Sequence, residues 1–137
     1  MASRDRLLRR IGDINDFSRP RPLVTLDEFF EGNRDPGSIG YNLPDPPDPQ
    51  EFRGFLTSIS ERDVVSAVLI EVTDLEDPDG WPSSDTAWVI TSAMIDEVAS
   101  WVPERFRPDE YLDGFPESGV EPHEVRAGFR AVGLWYD

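Results

Sequence analysis

The stretch between residues 64 and 92 constrains the fold of this chain more than any other. Residues 64–73 and 86–92 are two runs rich in β-branched and apolar side chains, separated by a segment of acidic residues, Gly and Pro. Such a pattern predicts two antiparallel strands joined as a hairpin. Both faces of the first run are apolar up to Glu71, which is typical of a strand inside a sheet. We therefore expect this hairpin to lie at the centre of the fold.

A third strand is predicted near the end of the sequence, over residues 129–136. In this stretch Val132, Leu134 and Tyr136 occupy alternate positions and share one face. If the strand lies beside residues 64–73, the order across the sheet is second, first, third, and every neighbouring pair is antiparallel. We take this as the predicted topology: a small antiparallel or mixed sheet of about three strands.

Helices are predicted mainly on one face of that sheet, so the fold class is α+β. Thr25 with Glu28, and Asp48 with Glu51, have the spacing of capping boxes, which mark the starts of helices. Residues 107–112 are predicted to form a short helical turn. The predicted helices cover about residues 3–14, 25–31, 48–62 and 92–102.

The predicted helix at 92–102 follows the second strand directly. Thr91 or Ser92 is the expected N-cap residue, because a hydroxyl side chain can accept a hydrogen bond from the first turn. Apolar residues then recur at helical spacing and predict a buried stripe. The members of this stripe are Met94, Ile95, Val98, Trp101 and Val102.

The composition excludes several classes of protein. The 137 residues carry a formal net charge of −15, which disfavours direct binding to nucleic acid because both molecules are polyanions. There is no Cys, so disulfides and thiolate metal sites are excluded. No apolar stretch has the length of a membrane span or of a signal peptide. We therefore expect a cytoplasmic protein that does not bind membranes.

The charge is distributed unevenly along the chain. Residues 1–22 hold six Arg against three Asp, whereas the remaining residues hold seven Arg against 25 acidic residues. We therefore divide the chain into a basic N-terminal arm and linker, 1–22, and a single acidic α+β domain, 23–137. The arm either folds back onto its own chain or reaches a second copy and forms a homodimer.

The acidic turn between the first two predicted strands is the main candidate for a binding site. Its residues cannot complete a calcium loop: when Gly80 is aligned with the required glycine, Leu75 and Thr86 fall at the two end ligand positions. The turn is therefore either inert surface or a recognition loop, and no metal site is assigned. The residues that we expect to face a partner are Asp77, Asp79, Trp81 and Asp85.

No motif in the sequence assigns a catalytic role to any residue. His123 is the single His, and it lies in a short acidic segment without the Gly-x-Ser-x-Gly motif of many serine hydrolases. Phosphate-binding and dinucleotide-binding glycine motifs are also absent from the sequence. The sequence therefore favours a non-enzymatic protein and implies no cofactor.

Residues 81–93, WPSSDTAWVITSA, together with Glu97, Val98 and Trp101, carry a resemblance to known proteins. This segment resembles a family of small, acidic, uncharacterised proteins from high-GC bacteria, and the similarity extends from about residue 23 to residue 137. The resemblance implies no activity and no residue role. In size, acidity and one-domain build, the chain is also similar to immunity proteins that neutralise secreted toxins.

Three functions are compatible with these observations. The favoured hypothesis is an immunity-like interaction module that binds a basic protein partner through the acidic turn. The second is a small-molecule-binding protein or a carboxylate-dependent enzyme with a pocket between the sheet and the helices. The third is an acidic mimic of nucleic acid that occupies a DNA-binding partner.

Overall fold

The computed structural model, which describes residues 3–137, has an antiparallel β-sheet at its centre. The strands are β1 (Leu23–Thr25), β2 (Val65–Glu71), β3 (Thr86–Thr91), β4 (Glu110–Asp113) and β5 (Arg130–Trp135). Their order within the described residues is β1-β2-β3-β5-β4, and every neighbouring pair is antiparallel. The α+β class and the antiparallel sheet are therefore confirmed, whereas the expected number of about three strands is too low.

The predicted strand order is wrong. The last strand, β5, pairs with β3 rather than with β2, in a register that places Thr86 opposite Trp135. The free edge of β2 is taken by β1, where Val24 lies opposite Ile70. The centre of the sheet is therefore β3, and all six of its residues are buried.

The helical turn predicted at residues 107–112 is also wrong, because this segment contains β4. The backbone N–H of Asp109 donates to the carbonyl of Trp135 at 2.8 Å, and that of Gly114 donates to the carbonyl of Ala131 at 2.8 Å. Tyr111 packs into the core on one face of the sheet and Leu112 into the core on the other. This alternation is that of a strand, which uses the remaining edge of β5.

The predicted helices are present with shorter bounds. They are α1 (Ser3–Ile11), α2 (Leu26–Phe30), α3 (Pro49–Ser60) and α4 (Ile95–Ser100). Both predicted capping boxes form: the side chains of Thr25 and Asp48 accept from the backbone of Glu28 and Glu51, whose carboxylates accept in return. α1 ends at Gly12, where the backbone turns to a φ of +66°.

The start of α4 differs from the prediction. Met94 is its N-cap residue and is 61% exposed, so it does not belong to a buried stripe. Thr91 cannot cap the helix because it is the last residue of β3, where its hydroxyl donates to the carbonyl of Val64 at 2.7 Å and accepts from the N–H of Ala93 at 3.0 Å. Thr91, which has a side chain typical of an N-cap residue, therefore belongs to the strand instead.

The core has two parts, one on each face of the sheet. The larger part lies under the helices and contains the buried residues of α1 to α4, including Leu7 and Ile11 of α1. The smaller part, around Trp88 and Ile90, is covered by the segment that connects β4 to β5. Because α1 contributes to the larger core, the described part of the basic arm lies against its own chain.

Candidate functional site

The acidic turn between β2 and β3 is closed by backbone hydrogen bonds at its base. The N–H of Thr73 donates to the carbonyl of Ser83 at 2.9 Å, and the N–H of Ser83 donates to the carbonyl of Asp74 at 2.8 Å. Further out, the carboxylate of Asp77 accepts from the N–H of Asp79 at 3.0 Å. A side chain that caps its own turn in this way fixes the backbone locally. The turn therefore has a defined shape.

Contacts with α1 and α2 hold this turn in place. Arg4 donates from Nε to the carbonyl of Gly80 at 2.7 Å and from Nη2 to that of Pro78. The indole Nε1 of Trp81 donates to the carbonyl of Phe29 at 2.9 Å, and its ring packs against the larger core. Trp81 is therefore a half-buried lid over the core rather than a fully exposed aromatic side chain.

Two adjoining hollows run along this turn, and we call them together the acidic groove. Their volumes are about 330 and 210 Å³, and both are lined by Tyr41, Glu76 and Ser83. Tyr41, between the two hollows, is 59% exposed. The carboxylate side chains that line the groove belong to Asp35, Asp74, Glu76, Asp77, Asp85 and Asp137.

The charges of the acidic groove are not neutralised by the described chain. No Arg of residues 3–137 lines either hollow, and none of the six carboxylates forms a salt bridge within that range. Arg4 contacts only backbone carbonyls of the turn. The groove thus presents a local excess of negative charge beside an exposed aromatic ring.

Three of the four residues predicted to face a partner line this groove. They are Asp77, Trp81 and Asp85, whereas Asp79 is exposed on the turn but does not line either hollow. No local pattern in the sequence indicates Tyr41, which reaches the turn because residues 39 and 84 form a parallel bridge. Asp137 was missed for a similar reason, since β5 brings it beside the turn only through tertiary pairing.

A second charged site lies on the other side of Asp85, and we call it the Glu71 cluster. It consists of Glu71, Arg21 and Trp88. Arg21 Nη1 donates to Glu71 Oε2 at 2.9 Å, and the indole Nε1 of Trp88 donates to Oε1 at 2.9 Å. The Glu71 side chain is 5% exposed and that of Arg21 is 52% exposed. Both oxygens of this buried carboxylate therefore have a partner, as burial of a charge requires.

The linker that carries Arg21 is tied to the segment between β4 and β5. The backbone of Arg21 exchanges two hydrogen bonds with Gly119 and Glu121, each of 2.8 Å. The Glu121 carboxylate accepts from Arg10 Nη2 at 2.9 Å and from the N–H of Leu23 at 2.8 Å. Partial burial acts to raise the pKa of Glu121, but these two hydrogen bonds outweigh it and the pKa lies below its usual value.

The single His of the chain lines neither the groove nor the hollow that contains the Glu71 cluster. His123 is exposed, and its ring packs edge-on against Phe115 with 6.4 Å between the centroids. Among residues 3–137, no three His, Asp or Glu side chains are placed to hold a metal ion. No helix in the same range is long and apolar enough to cross a membrane.

Comparison with known proteins identifies the family. A model of the "Uncharacterized protein YfbO family" matches residues 2–134. The chain belongs to the YfbO family. It is 41% identical over 127 residues to the uncharacterised protein YfbO of Escherichia coli (strain K12), covering 92% of this chain and 90% of that protein. No solved structure matches the chain significantly. The expected membership of an uncharacterised family is confirmed, while an origin in high-GC bacteria stays a prediction.

Proposed function

We propose that this YfbO-family protein is a non-enzymatic interaction module that binds a basic segment of a protein partner, such as a toxin, in the acidic groove. One observation carries the proposal: six carboxylates line the groove, and none of them has a cationic partner within residues 3–137. Elsewhere, acidic side chains such as Glu71 and Glu121 are paired with Arg. The groove therefore brings six carboxylates without a salt bridge together on one surface.

The shape and the aromatic content of the groove support the same proposal. The turn is fixed by Asp77, Arg4 and Trp81, so little conformational entropy is lost when a partner binds. The exposed ring of Tyr41 offers an apolar and π-electron surface between the two hollows. Arg side chains stack on such rings, and aromatic residues are enriched among the residues that dominate binding energy.

Charge also favours a basic partner at long range. With a net charge of −15, the protein attracts cationic surfaces and repels polyanions. Complementary charge mainly raises the association rate and weakens with added salt. We therefore expect the affinity for the partner to fall as ionic strength rises.

Binding of a labelled nona-arginine peptide, measured by fluorescence anisotropy at low and high salt, tests this proposal. The variant E76Q/D77N removes two charges from the groove, and the control E61Q/D63N removes two from exposed positions at the end of α3. We expect the groove variant to weaken binding about tenfold and the control less than about twofold, since each exposed charge pair contributes about 0.7 kcal/mol and a factor of ten is about 1.4 kcal/mol. Equal effects of the two variants would refute the groove as the binding surface.

The native partner requires a second measurement. A tagged protein expressed in its own host is expected to co-purify with a basic protein that salt releases, and E76Q/D77N but not E61Q/D63N is expected to lose it. If DNA displaces that partner, the protein is acting as a nucleic-acid mimic. If only small molecules are retained, the interaction-module proposal fails.

A carboxylate-dependent enzyme is the alternative from another functional class. Its chemistry needs at least two acids held in a closed cleft, because burial is what separates their pKa values. Glu71 is the one carboxylate of residues 3–137 that is buried, and both of its oxygens are engaged. No observation on the described residues favours this alternative.

A second copy of this chain, bound through the basic arm as a homodimer, is a further proposed partner. Because α1 packs on its own chain, such a dimer would use the exposed Arg6 and Arg9 of α1 and the acidic groove of a second copy. Light scattering at low salt, repeated with Arg6→Gln/Arg9→Gln, tests this arrangement. A monomer at all concentrations would exclude it.

A further inference from the structure

A cavity of about 430 Å³ borders the Glu71 cluster and includes Glu71 and Arg21 in its wall, and we call it the linker cavity. It is formed by residues 13–22 of the linker and residues 116–120 of the segment between β4 and β5. A volume of this size accommodates a small organic molecule. The apolar part of its wall includes Ile14, Phe17, Pro20, Pro22 and Val120.

Phe17 is the most exposed large apolar side chain of the described residues, at 91%. It borders the linker cavity at its solvent-exposed rim. A scattered exposed apolar residue needs no explanation, but one beside a cavity offers a contact that a ligand can cover. The wall therefore suits a ligand with an apolar or aromatic body.

Arg21 provides the polar group of the cavity. Its backbone is fixed by two hydrogen bonds and its Nη1 by the buried carboxylate of Glu71, which is in turn held by Trp88. A guanidinium has five N–H donors, and within residues 3–137 only Nη1 of Arg21 meets an acceptor. Arg21 lines the cavity, and its Nε and Nη2 donors have the fork geometry that a carboxylate matches.

Stability alone does not account for this pair. A buried ion pair loses about as much through desolvation as it gains, and apolar residues of similar volume stabilise a fold equally well. Glu71 is almost fully buried, yet the partner that it orients is half exposed. Positioning Arg21 for a ligand accounts for both facts.

The charges around the cavity decide which anion fits. Arg19 and Arg21 line it together with Asp13, Asp16 and Glu71. Hydrogen bonds from the hydroxyl and N–H of Ser18 lower the pKa of Asp16, so this carboxylate stays ionised. Two Arg against three carboxylates give the lining a net charge of −1, which repels a multiply charged anion such as phosphate more strongly than a monocarboxylate. Binding of a monocarboxylate therefore depends on direct hydrogen bonds to Arg21 and on the apolar wall.

We propose that the linker cavity binds a small monocarboxylate with an apolar body, whose carboxylate accepts hydrogen bonds from Arg21 and whose body packs on Phe17 and the neighbouring prolines. This site shares only Thr73 with the acidic groove, and its ligand is an anion, whereas the proposed partner of the groove is basic. The proposal therefore stands or falls independently of the partner proposed above.

Titration of the ¹⁵N-labelled protein with phenylacetate, followed by NMR, tests the proposal. The side-chain Nε–H of Arg21 and the indole N–H of Trp88 are expected to shift saturably, because both belong to the cluster that the ligand contacts. Phenylacetamide has the same body without the charge, and inorganic phosphate has charge without the body. We expect either probe to bind at least about tenfold more weakly than phenylacetate, as loss of a charged hydrogen bond implies.

The matched variant is R21M/E71Q, which removes both charges and retains an oxygen that can accept from the Trp88 indole. It is expected to fold and to lose at least about tenfold in affinity for phenylacetate. If this variant does not fold, Phe17→Ala replaces it, since the exposed ring of Phe17 can be removed without opening the core. Unshifted Arg21 and Trp88 signals, or equal binding of phenylacetate and phenylacetamide, would overturn the proposal.

Discussion

The acidic groove and the Glu71 cluster lie side by side at one end of the sheet and treat acidic side chains in opposite ways. Asp85 and Trp135 line both the groove and the hollow that contains Glu71, Arg21 and Trp88. In the cluster, one carboxylate is buried and fully paired. In the groove, six carboxylates are left without a cation. The contrast separates acids that hold the fold together from acids that are available to a partner.

Removal of Arg21 is expected to produce the largest effect on stability. In Arg21→Met, the carboxylate of Glu71 remains buried without its ionic partner, and such a loss costs about 3 kcal/mol. The double variant R21M/E71Q removes the buried charge and is expected to recover at least half of that loss. Urea unfolding of both variants measures these values. A single variant as stable as the wild type would show that the cluster does not hold the fold.

Gly133→Ala tests the same cluster by displacing the Trp88 indole, which packs against Gly133. A Cβ atom at Gly133 would lie 2.9 Å from Trp88 Cζ3 and 3.0 Å from the Cβ of Leu112, so the indole must move. We expect a loss of about 2 kcal/mol, within the usual range for overpacking. The control is Gly54→Ala in α3, where nothing lies within 4 Å and the higher helix propensity of Ala is expected to stabilise by up to about 1 kcal/mol.

Glu121→Gln is expected to have a smaller effect, which depends on pH. The folded-state pKa of Glu121 lies below its usual value, so its ionised form stabilises the protein above the pKa of the unfolded state, and the stabilisation is lost as pH falls through the folded pKa. Because the side chain is one-third exposed, we expect a loss of only about 0.5–1 kcal/mol at pH 7. Thermal unfolding from pH 7 downwards checks this, since the difference between the two proteins should shrink as the pH falls.

The groove acids are expected to contribute least to stability. The variant E76Q/D77N removes charges that have no cationic partner, so the free energy of unfolding should change by less than about 0.5 kcal/mol. A small increase is consistent with the relief of like-charge repulsion. A loss comparable to that of Arg21→Met, measured by urea unfolding, would remove the distinction between the two regions.

Local patterns predicted the elements whose signals are contained in a few consecutive residues. The capping boxes at Thr25 and Asp48, and the β-branched runs of β2 and β3, each specify structure within about a dozen positions. In contrast, β4 has only four residues and two of them are acidic, so it forms because β5 offers an open edge. The predicted strand order was wrong for the same reason, since tertiary contacts rather than local sequence determine which strands pair.

The candidate site was predictable only in part. The acidic turn and Trp81 could be identified because charge and an aromatic residue are visible locally. Tyr41 and Asp137 join the groove from distant parts of the chain, and the pairing of Arg21 with Glu71 spans 50 positions. No spacing rule connects residues so far apart, because their proximity is created by the sheet.

The position of β5 also sets the order in which the sheet can assemble. β4 precedes β5 along the chain, but β5 is its only strand partner among residues 3–137. β4 therefore joins the sheet only together with β5 or after it, and the pairing of β3 with β5 connects residues 39 to 49 positions apart. Such non-local pairing slows folding to the millisecond-to-second range. Until it is complete, the edge of β3 and the hydrophobic face around Trp88 stay open, and this interval is when the protein is most prone to aggregation.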